Sequence, residues 1–248
     1  RSFQCRASNL KKHLARTATA AKYDETRMEL SGVLFFAHEK TLTLVATDAY
    51  RLAESSLTLE EPATEDIRAI VPLKTVQELL RNLPDDPESI VQLFLSDTQI
   101  TCVVDTIELV SKLIEGNYPD YTQIIPSSFS TRAVVDRSEW MRTVKASSIF
   151  SRAGLNDVTL QFETGESDKG TLTVSSANTT VGETAMKLDI ACSGSSVSMS
   201  LNFRYLLDGL SNMTTAQVSV GAIDSNSPCI IKPVGEEDYQ YMVMPIRE

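Results

Sequence analysis

The second half of this 248-residue chain repeats the pattern of the first half. Residues 138–145 match residues 8–15 in the spacing of apolar and basic positions, and residues 201–210 match the run that begins at residue 73. The offset is about 127 to 130 residues, whereas solenoid repeats have periods of roughly 20–50 residues. The chain is therefore predicted to contain two copies of one domain.

Within the first copy, segments with strand periodicity alternate with two segments of helical periodicity. One face at helical spacing predicts a helix from an N-cap at Ser8 to about Lys22. Pro72 ends a strand, and a second helix follows it until Pro84 stops the pattern. Strands are predicted at residues 2–6, 30–36, 42–47, 50–59, 67–71, 90–95, 99–104 and 107–113.

This order of elements predicts an α+β fold built from two tandem duplicated domains, each with two helices packed on antiparallel sheets. Turn-forming residues are concentrated at positions 115–121 and 126–131, which is typical of a linker. We place the two domains at residues 1–126 and 127–248.

The composition argues against several classes of protein. The formal net charge is −10, from 23 Lys and Arg against 33 Asp and Glu, which disfavours non-specific binding of the whole chain to DNA or anionic lipid. No apolar run approaches the roughly 20 residues of a membrane span, and the N-terminus lacks the apolar core of a signal peptide. We therefore expect a cytoplasmic protein that does not bind membranes.

The four cysteines, Cys5, Cys102, Cys192 and Cys229, are far apart and form no CxxC pair. They lie in apolar strand-like runs, so we expect buried thiols in a reducing compartment. Only His13 and His38 are available as imidazole ligands, which disfavours a zinc cluster.

The first predicted helix carries positive charge only. Lys11, Lys12, Arg16 and Lys22 fall mostly away from its apolar face, and no acidic residue precedes Asp24. In an acidic protein this pattern fits either an ordinary solvated face or a face that contacts phosphates.

A polar turn interrupts two apolar strands at residues 44–53. Thr47 and Asp48 can cap the turn with their own side chains, and Tyr50 restarts the alternating pattern. Taken alone, this stretch is predicted to be an ordinary hairpin turn. Residues 242–246, taken alone, are likewise predicted to be the last strand of the core.

Four separated motifs resemble the bacterial sliding clamp, the beta subunit of DNA polymerase III. They are Thr47-Asp-Ala-Tyr-Arg-Leu52, Ser111-Lys-Leu-Ile-Glu-Gly-Asn-Tyr-Pro-Asp-Tyr121, Asn202-Phe-Arg-Tyr-Leu-Leu-Asp208 and Tyr241-Met-Val-Met-Pro-Ile-Arg247. The resemblance covers the whole chain in the family's order and implies the DNA-clamp fold. Family members have three such domains. This chain matches the second and third, so the first domain is expected to be absent.

In this family, partner proteins carry a Gln-Leu-x-Leu-Phe-like segment that docks in a pocket between the second and third domains. Such partners include the alpha subunit of DNA polymerase III, the clamp loader and repair proteins. The resemblance implies the following peptide-binding residues: Arg27, Leu30, Thr47, Ala49, Tyr50, Arg51, Leu52, Pro119, Ile124, Asn202, Tyr205, Asn226, Pro228, Met242, Met244, Pro245, Ile246 and Arg247.

The family forms a head-to-tail homodimeric ring around double-stranded DNA. The resemblance implies a processivity factor that tethers DNA polymerase to duplex DNA without sequence specificity, and with no cofactor, metal or catalytic residue. It implies that the DNA-facing residues are Lys11, Lys12, Arg16, Lys22, Arg142 and Lys145. It further implies that Ile149 and Phe150 close the subunit interface against the missing domain, although by pattern alone they are an ordinary helix end.

Two other functions are compatible with the residues. An enzyme could use the carboxylates of Asp48, Asp85, Asp86, Asp120 and residues 236–238 as metal ligands or as acid–base groups, but no His, Lys or Gly-rich phosphate loop accompanies them. Alternatively, the chain is a stand-alone peptide-binding adaptor that never encircles DNA. For the chain by itself we expect a monomer.

Overall fold

The computed structural model describes residues 1–247, and the chain divides into two compact units. The first unit is Arg1–Asp120 and the second is Tyr121–Glu248. Within the described residues, no helix is both long enough and apolar enough to cross a bilayer.

The first unit contains the helices α1 (Ala7–Ala18) and α2 (Leu73–Asn82), which pack against each other. Its strands are β1 (Ser2–Arg6), β2 (Gly32–His38), β3 (Thr41–Thr47), β4 (Arg51–Thr58), β5 (Ile67–Pro72), β6 (Ile90–Leu95), β7 (Gln99–Val104) and β8 (Ile107–Lys112). They form two antiparallel sheets with the strand orders β1-β6-β7-β8 and β4-β3-β2-β5.

The second unit repeats this order of elements. Its helices are α3 (Arg137–Ser147) and α4 (Phe203–Ser211), which also pack together. Its strands are β9 (Thr131–Asp136), β10 (Asp157–Thr164), β11 (Lys169–Asn178), β12 (Gly182–Gly194), β13 (Val197–Asn202), β14 (Gln217–Ala222), β15 (Cys229–Pro233) and β16 (Tyr239–Val243).

In the second unit, one long strand joins the two halves of the sheet. The strand order is β13-β10-β11-β12-β9-β14-β15-β16, and all these pairs are antiparallel. β12 pairs with β11 along most of its length and with β9 through its last residues. The predicted α+β architecture with duplicated helix pairs on antiparallel sheets is confirmed.

The helices of the second unit begin at side-chain caps. Asp136 Oδ1 accepts a hydrogen bond from the backbone N–H of Glu139 at 2.8 Å, and Asn202 Oδ1 accepts one from Arg204 at 2.9 Å. These caps satisfy N–H groups that the first helical turn leaves without an intrahelical partner. Both cap residues end a strand, so strand β9 runs directly into α3 and strand β13 into α4.

The first helix is shorter than the predicted span. It begins at Ala7, without a side-chain cap from Ser8, and ends at Ala18 and not at Lys22. Beyond the end, Ala20 and Ala21 donate to carbonyl oxygens three residues back, which tightens the backbone out of the α-helical pattern. Lys22 therefore lies after the helix and not on its face.

The core of each unit lies between helices and sheets. In the first unit Leu10 and Leu14 of α1 are fully buried together with Phe35 of β2, and in the second Trp140 of α3 is fully buried. Burying side chains of this size contributes roughly 1.5–3 kcal/mol each.

Candidate functional site

A tight turn joins β3 to β4, and its side chains satisfy its own backbone. Thr47 Oγ1 donates to the carbonyl oxygen of Arg51 at 2.6 Å and accepts from the N–H of Ala49 at 3.1 Å. Asp48 Oδ1 accepts from the N–H groups of Tyr50 and Arg51 at 3.0 and 3.1 Å. These bonds hold Ala49 at a φ of 73°, in the left-handed region that its Cβ disfavours.

The same aspartate orients the arginine of the turn. Arg51 Nε donates to Asp48 Oδ2 at 3.1 Å, and the two side chains are only 10% and 4% exposed. Tyr50, which lies between Asp48 and Arg51 in the sequence, has a side chain that is 63% exposed. The turn thus exposes an aromatic ring beside a largely buried guanidinium group, whose direction Asp48 fixes.

The other predicted residues of the first unit differ in how accessible they are. Leu30 and Leu52 are buried, so they support the surface from below and do not present a side chain to it. Arg27 is exposed, with Nε 3.4 Å from Glu29 Oε1, and Pro119 is half-buried.

Next to Pro119, Tyr118 is buried and its hydroxyl donates to the carbonyl oxygen of Val45 at 3.4 Å. Burial raises the pKa of this hydroxyl, although a backbone hydrogen bond from Thr47 lowers it. The group is neutral at physiological pH and acts as an anchor between the segment at Tyr118 and strand β3.

In the second unit, the predicted C-terminal residue Met242 lies in β16, and Met244 to Arg247 follow that strand as an irregular segment. Met242 and Pro245 are buried, Met244 and Ile246 are half-buried, and Arg247 is exposed. The segment is fixed to the edge strand β13, because the N–H of Ile246 donates to the carbonyl oxygen of Ser200 at 2.8 Å.

Two of the remaining predicted residues are tied to the helix α4. The amide oxygen of Asn202 caps the helix, and the carbonyl oxygen of Tyr205 accepts from the hydroxyl of Tyr241 at 2.9 Å. Ile124 is exposed on the short 3-10 turn Tyr121–Ile124.

Asn226 and Pro228 belong to the loop before β15. Asn226 is exposed and Pro228 is half-buried. Asp224 organises this loop by accepting N–H groups from Asn226 at 2.8 Å and Ser227 at 2.7 Å. These hydrogen bonds to the charged form lower the pKa of the Asp224 carboxyl below its ordinary value.

The structure brings three of the predicted residues of the second unit together around one cavity of about 470 Å³. Asn226, Ile246 and Arg247 line it together with hydroxyl-bearing side chains that the motifs did not include: Thr159, Ser198, Ser200 and Ser225. Thr159 and Ser200 stand opposite each other on β10 and β13, and their hydroxyls hydrogen-bond at 3.1 Å. The alternating polar residues of β13 are the only local signal of this lining.

The residues predicted to face DNA are only partly on an open surface. Lys12, Lys22, Arg142 and Lys145 are exposed, and Lys11 is half-buried with Nζ 2.9 Å from Asp85 Oδ1. Arg16 is a correction, because only 3% of it is exposed. Its side chain is buried in the unit, so it does not present its charge at the surface in this structure.

Ile149 and Phe150 lie in the 3-10 turn Ser148–Phe150 that follows α3. Ile149 is 68% exposed, whereas Phe150 is half-buried. The Phe150 ring lies next to Gly182, where a side-chain Cβ would stand 3.8 Å from it. The loop after them is fixed by Asp157, which accepts from the N–H of Arg152 at 3.0 Å and from its Nε at 2.7 Å. Val181 adds an exposed apolar side chain beside Gly182.

The carboxylates considered for catalysis are scattered. Asp48 is bonded within its own turn, and Asp85 pairs with Lys11. Among residues 1–247, no group of three or more His, Cys, Asp or Glu side chains is arranged to hold a metal ion. The cysteines are free and buried, and burial raises the pKa of Cys5, Cys102 and Cys229 to about 12.

The repeated pairs of helices on antiparallel sheets define a protein of the DNA-clamp fold. The model of the DNA polymerase III beta subunit, central domain, matches residues 4–120, and the model of its C-terminal domain matches residues 122–247. The chain belongs to the DNA polymerase III beta subunit family.

Relatives with known names agree with this assignment. The chain is 30% identical over 247 residues to the beta sliding clamp of Staphylococcus aureus and 32% identical over 240 residues to that of Pseudomonas putida. These matches cover 99% and 97% of this chain but 64% of each relative. The chain thus spans about two thirds of the length of these curated relatives.

Solved structures show the same relationship. A sliding clamp from Pseudomonas aeruginosa bound to griselimycin superposes with a TM-score of 0.93 at 29% identity, covering 100% of this chain and 66% of that one. A sliding clamp from Bacillus subtilis gives a TM-score of 0.94 at 26% identity, covering 100% and 64%.

Proposed function

We propose that this chain is the partner-binding part of a sliding clamp, which tethers DNA polymerase and other replication and repair proteins to duplex DNA. The observation that carries the proposal is the match of two consecutive clamp-domain models over nearly the whole chain. In this role the protein is a non-catalytic cytoplasmic accessory subunit. With a further domain, it forms a homodimeric ring that encircles DNA.

The tethering function rests on short-peptide binding through the residues described in each unit. Met244 is half-buried after β16, and its flexible thioether chain adapts to different apolar side chains. A Leu and a Phe of a Gln-Leu-x-Leu-Phe-like peptide each contribute roughly 1.5–3 kcal/mol on burial. After the entropic cost of ordering a short peptide is subtracted, a dissociation constant of about 1 μM is expected.

The contribution of the turn between β3 and β4 is directional. Because Asp48 holds the guanidinium of Arg51, little side-chain entropy is lost when Arg51 hydrogen-bonds a peptide carbonyl or carboxylate. Tyr50 offers an exposed ring next to it. The bonds within the turn thus prepare the surface before the peptide arrives.

The DNA function rests on weak electrostatics. Lys12, Arg142 and Lys145 are exposed on helices that bear few acidic residues, whereas the chain as a whole has a net charge of −10. Contacts between lysine or arginine and phosphates are independent of sequence and weaken steeply with salt. Attraction of this kind permits sliding, because the acidic remainder discourages tight trapping.

The test is fluorescence polarisation of a labelled Gln-Leu-Ser-Leu-Phe peptide titrated with this chain. Met244→Asp should weaken binding at least tenfold, because it places a charge where an apolar side chain is buried. Arg51→Ala should weaken it about fivefold through loss of hydrogen bonding. Ile107→Asp, which changes an exposed aliphatic residue on β8, is the matched control and should bind as the unmodified chain does.

Failure of the folded, unmodified chain to bind the peptide at 100-fold above the expected dissociation constant would overturn the tethering proposal. Equal losses of peptide affinity in Met244→Asp and Ile107→Asp would also count against the proposal, because the loss would then not depend on an apolar contact between the peptide and the C-terminal segment.

A further inference from the structure

In each unit, an extended segment runs along the corresponding edge of that unit's own sheet. In the second unit, the N–H of Ile246 donates to the carbonyl oxygen of Ser200 on the edge strand β13 at 2.8 Å. In the first, the N–H of Ile114 donates to the carbonyl oxygen of Ile70 on the edge strand β5 at 2.9 Å, in an antiparallel bridge. Ile70 and Ser200 occupy corresponding places in the duplicated elements, directly before α2 and α4.

In the first unit this pairing stops after a single bridge. An antiparallel strand that pairs Ile114 with Ile70 would place Gly116 opposite Arg68. Gly116 instead has a φ of 126°, a conformation that glycine adopts readily and that turns the backbone away from the edge. The segment therefore covers the β5 edge at Ile70 but leaves the edge at Arg68 uncovered.

The ladder geometry shows where the backbone groups of Arg68 point. Leu73, in register with β5, donates to the carbonyl oxygen of Ser31, so the odd-numbered residues of β5 bond to β2 and the even-numbered ones face the open edge. Within residues 1–247, the N–H and C=O of Arg68 have no backbone partner. Its guanidinium does not cover them, because it lies over the Phe36 ring on the sheet face, 5.5 Å from the centroid.

A cavity of about 540 Å³ opens beside this edge. Its lining combines aliphatic side chains with polar and charged ones: Leu34, Ile70, Leu113 and Ile114 on one hand, and Asp97, Glu115, Asn117 and Arg68 on the other. It occupies the same place relative to β5 as the 470 Å³ cavity occupies relative to β13 in the second unit. Duplication has thus produced a second cavity with different chemistry, lined by aliphatic side chains and two carboxylates beside Arg68, where the other is lined by hydroxyls and Arg247.

The charges around the edge favour a basic occupant. Glu115 makes no ion pair within residues 1–247, and Asp97 is 88% exposed with only Arg1 beside it, at 3.4 Å. Glu65 and Asp66 directly precede β5, but they are already paired with Arg1 at 3.0 Å and His38 at 2.7 Å, so Glu115 and the exposed Asp97 carry the attraction. Arg68 supplies one positive charge, which the Phe36 ring holds on the sheet face.

We propose that the β5 edge of the first unit is a second docking site, which binds a basic, extended segment of a partner protein by strand addition. The segment pairs with the N–H and C=O of Arg68, inserts an aliphatic side chain into the 540 Å³ cavity, and directs lysine or arginine side chains at Glu115 and Asp97. The lining of this cavity includes none of the peptide-binding residues proposed above.

The test uses isotope-labelled chain and the peptide Lys-Val-Ile-Val-Lys, followed by amide chemical shifts and by fluorescence polarisation of a labelled copy. Shifts should concentrate at Arg68, Ile70 and residues 114–117. Arg68→Pro should weaken binding about fivefold, because it removes one backbone donor that makes no ladder bond. Arg68→Ala keeps that donor and should bind within twofold of the unmodified chain.

Charge is tested separately from backbone pairing. Glu115→Lys should weaken binding of the basic peptide at least threefold. The matched acidic peptide Glu-Val-Ile-Val-Glu should bind the unmodified chain more weakly than the basic peptide does. Equal binding by Arg68→Pro and Arg68→Ala, or shifts confined to residues 241–247, would overturn the proposal. Competition by Gln-Leu-Ser-Leu-Phe would also overturn it without affecting the proposed clamp function, whereas failure of that peptide to bind would leave this site standing.

Discussion

Arg51 and Asp48 form the most enclosed ion pair at the proposed peptide-binding turn, with Nε 3.1 Å from Oδ2 and both side chains largely buried. Asp48 also accepts two backbone N–H groups of the same turn. One carboxylate therefore fixes both the backbone and the functional arginine.

Asp48→Ala should lower the free energy of unfolding by about 2 kcal/mol, because hydrogen bonds to a charged, buried acceptor are lost together. The measurement is urea unfolding followed by circular dichroism. Glu61→Ala, an exposed acidic residue in a loop, is the control and should change stability by less than about 0.5 kcal/mol. A cost for Asp48→Ala no larger than that of the control would show that the turn does not depend on this carboxylate.

Ala49→Gly should raise the free energy of unfolding by about 0.5–1 kcal/mol, because glycine relieves the left-handed strain that alanine bears at a φ of 73°. Ala63→Gly is the matched control, since Ala63 is not among the residues with positive φ and should lose about 0.5–1 kcal/mol. The pair is compared by urea unfolding. Equal destabilisation by both substitutions would contradict the assignment of strain to residue 49.

Turn chemistry of this kind is readable from the sequence because it is local. Thr47 and Asp48 bond to groups within four residues of themselves, so their identity is enough to predict the turn. The duplicated order of strands and helices was equally predictable, since periodicity of apolar residues reports which face of each element is buried.

Features that depend on distant contacts were not predictable. Arg16 follows the basic pattern of its helix, yet packing of α1 against β4 buries it. The hydroxyl-lined cavity of the second unit arises only when Thr159 and Ser200 are brought opposite each other by strand pairing across 41 residues. Short-range spacing carries no information on such pairing.

The four thiols should be unreactive in the folded protein. Burial raises the pKa of Cys5, Cys102 and Cys229 to about 12, so these three carry almost no thiolate at pH 8, and burial raises the pKa of Cys192 as well. Titration with a coloured disulfide reagent should show no fast-reacting thiol in buffer and four in denaturant. A fast phase in buffer would contradict the burial of at least one cysteine.

The chain should be a monomer of 27.3 kDa in sedimentation equilibrium at micromolar concentration. Ile149 and Val181 are exposed near Phe150, but a patch of this size is smaller than the roughly 800 Å² per partner that stable interfaces bury. Ile149→Glu should leave the mass unchanged. A dimer that Ile149→Glu dissociates would contradict the monomer prediction and identify this patch as the contact.

Stability should depend on pH through Asp157. Burial by itself raises the pKa of this carboxyl, but hydrogen bonds and charge from Arg152 outweigh it and hold the pKa below its usual value of 3.8. Because the folded state binds the proton less readily than the unfolded state, the stabilisation is present above about pH 4 and is lost as the pH falls through the lowered folded value.

Asp157→Asn should therefore lower the free energy of unfolding by about 1–2 kcal/mol at pH 7 and by much less near pH 3. Urea unfolding at both pH values measures the difference. Asp97→Asn changes an exposed carboxylate and should have little effect at either pH. A deficit in Asp157→Asn that is the same at pH 3 and pH 7 would assign the role of Asp157 to packing and not to its charge, and the loop after Phe150 would then be held without the ion pair to Arg152.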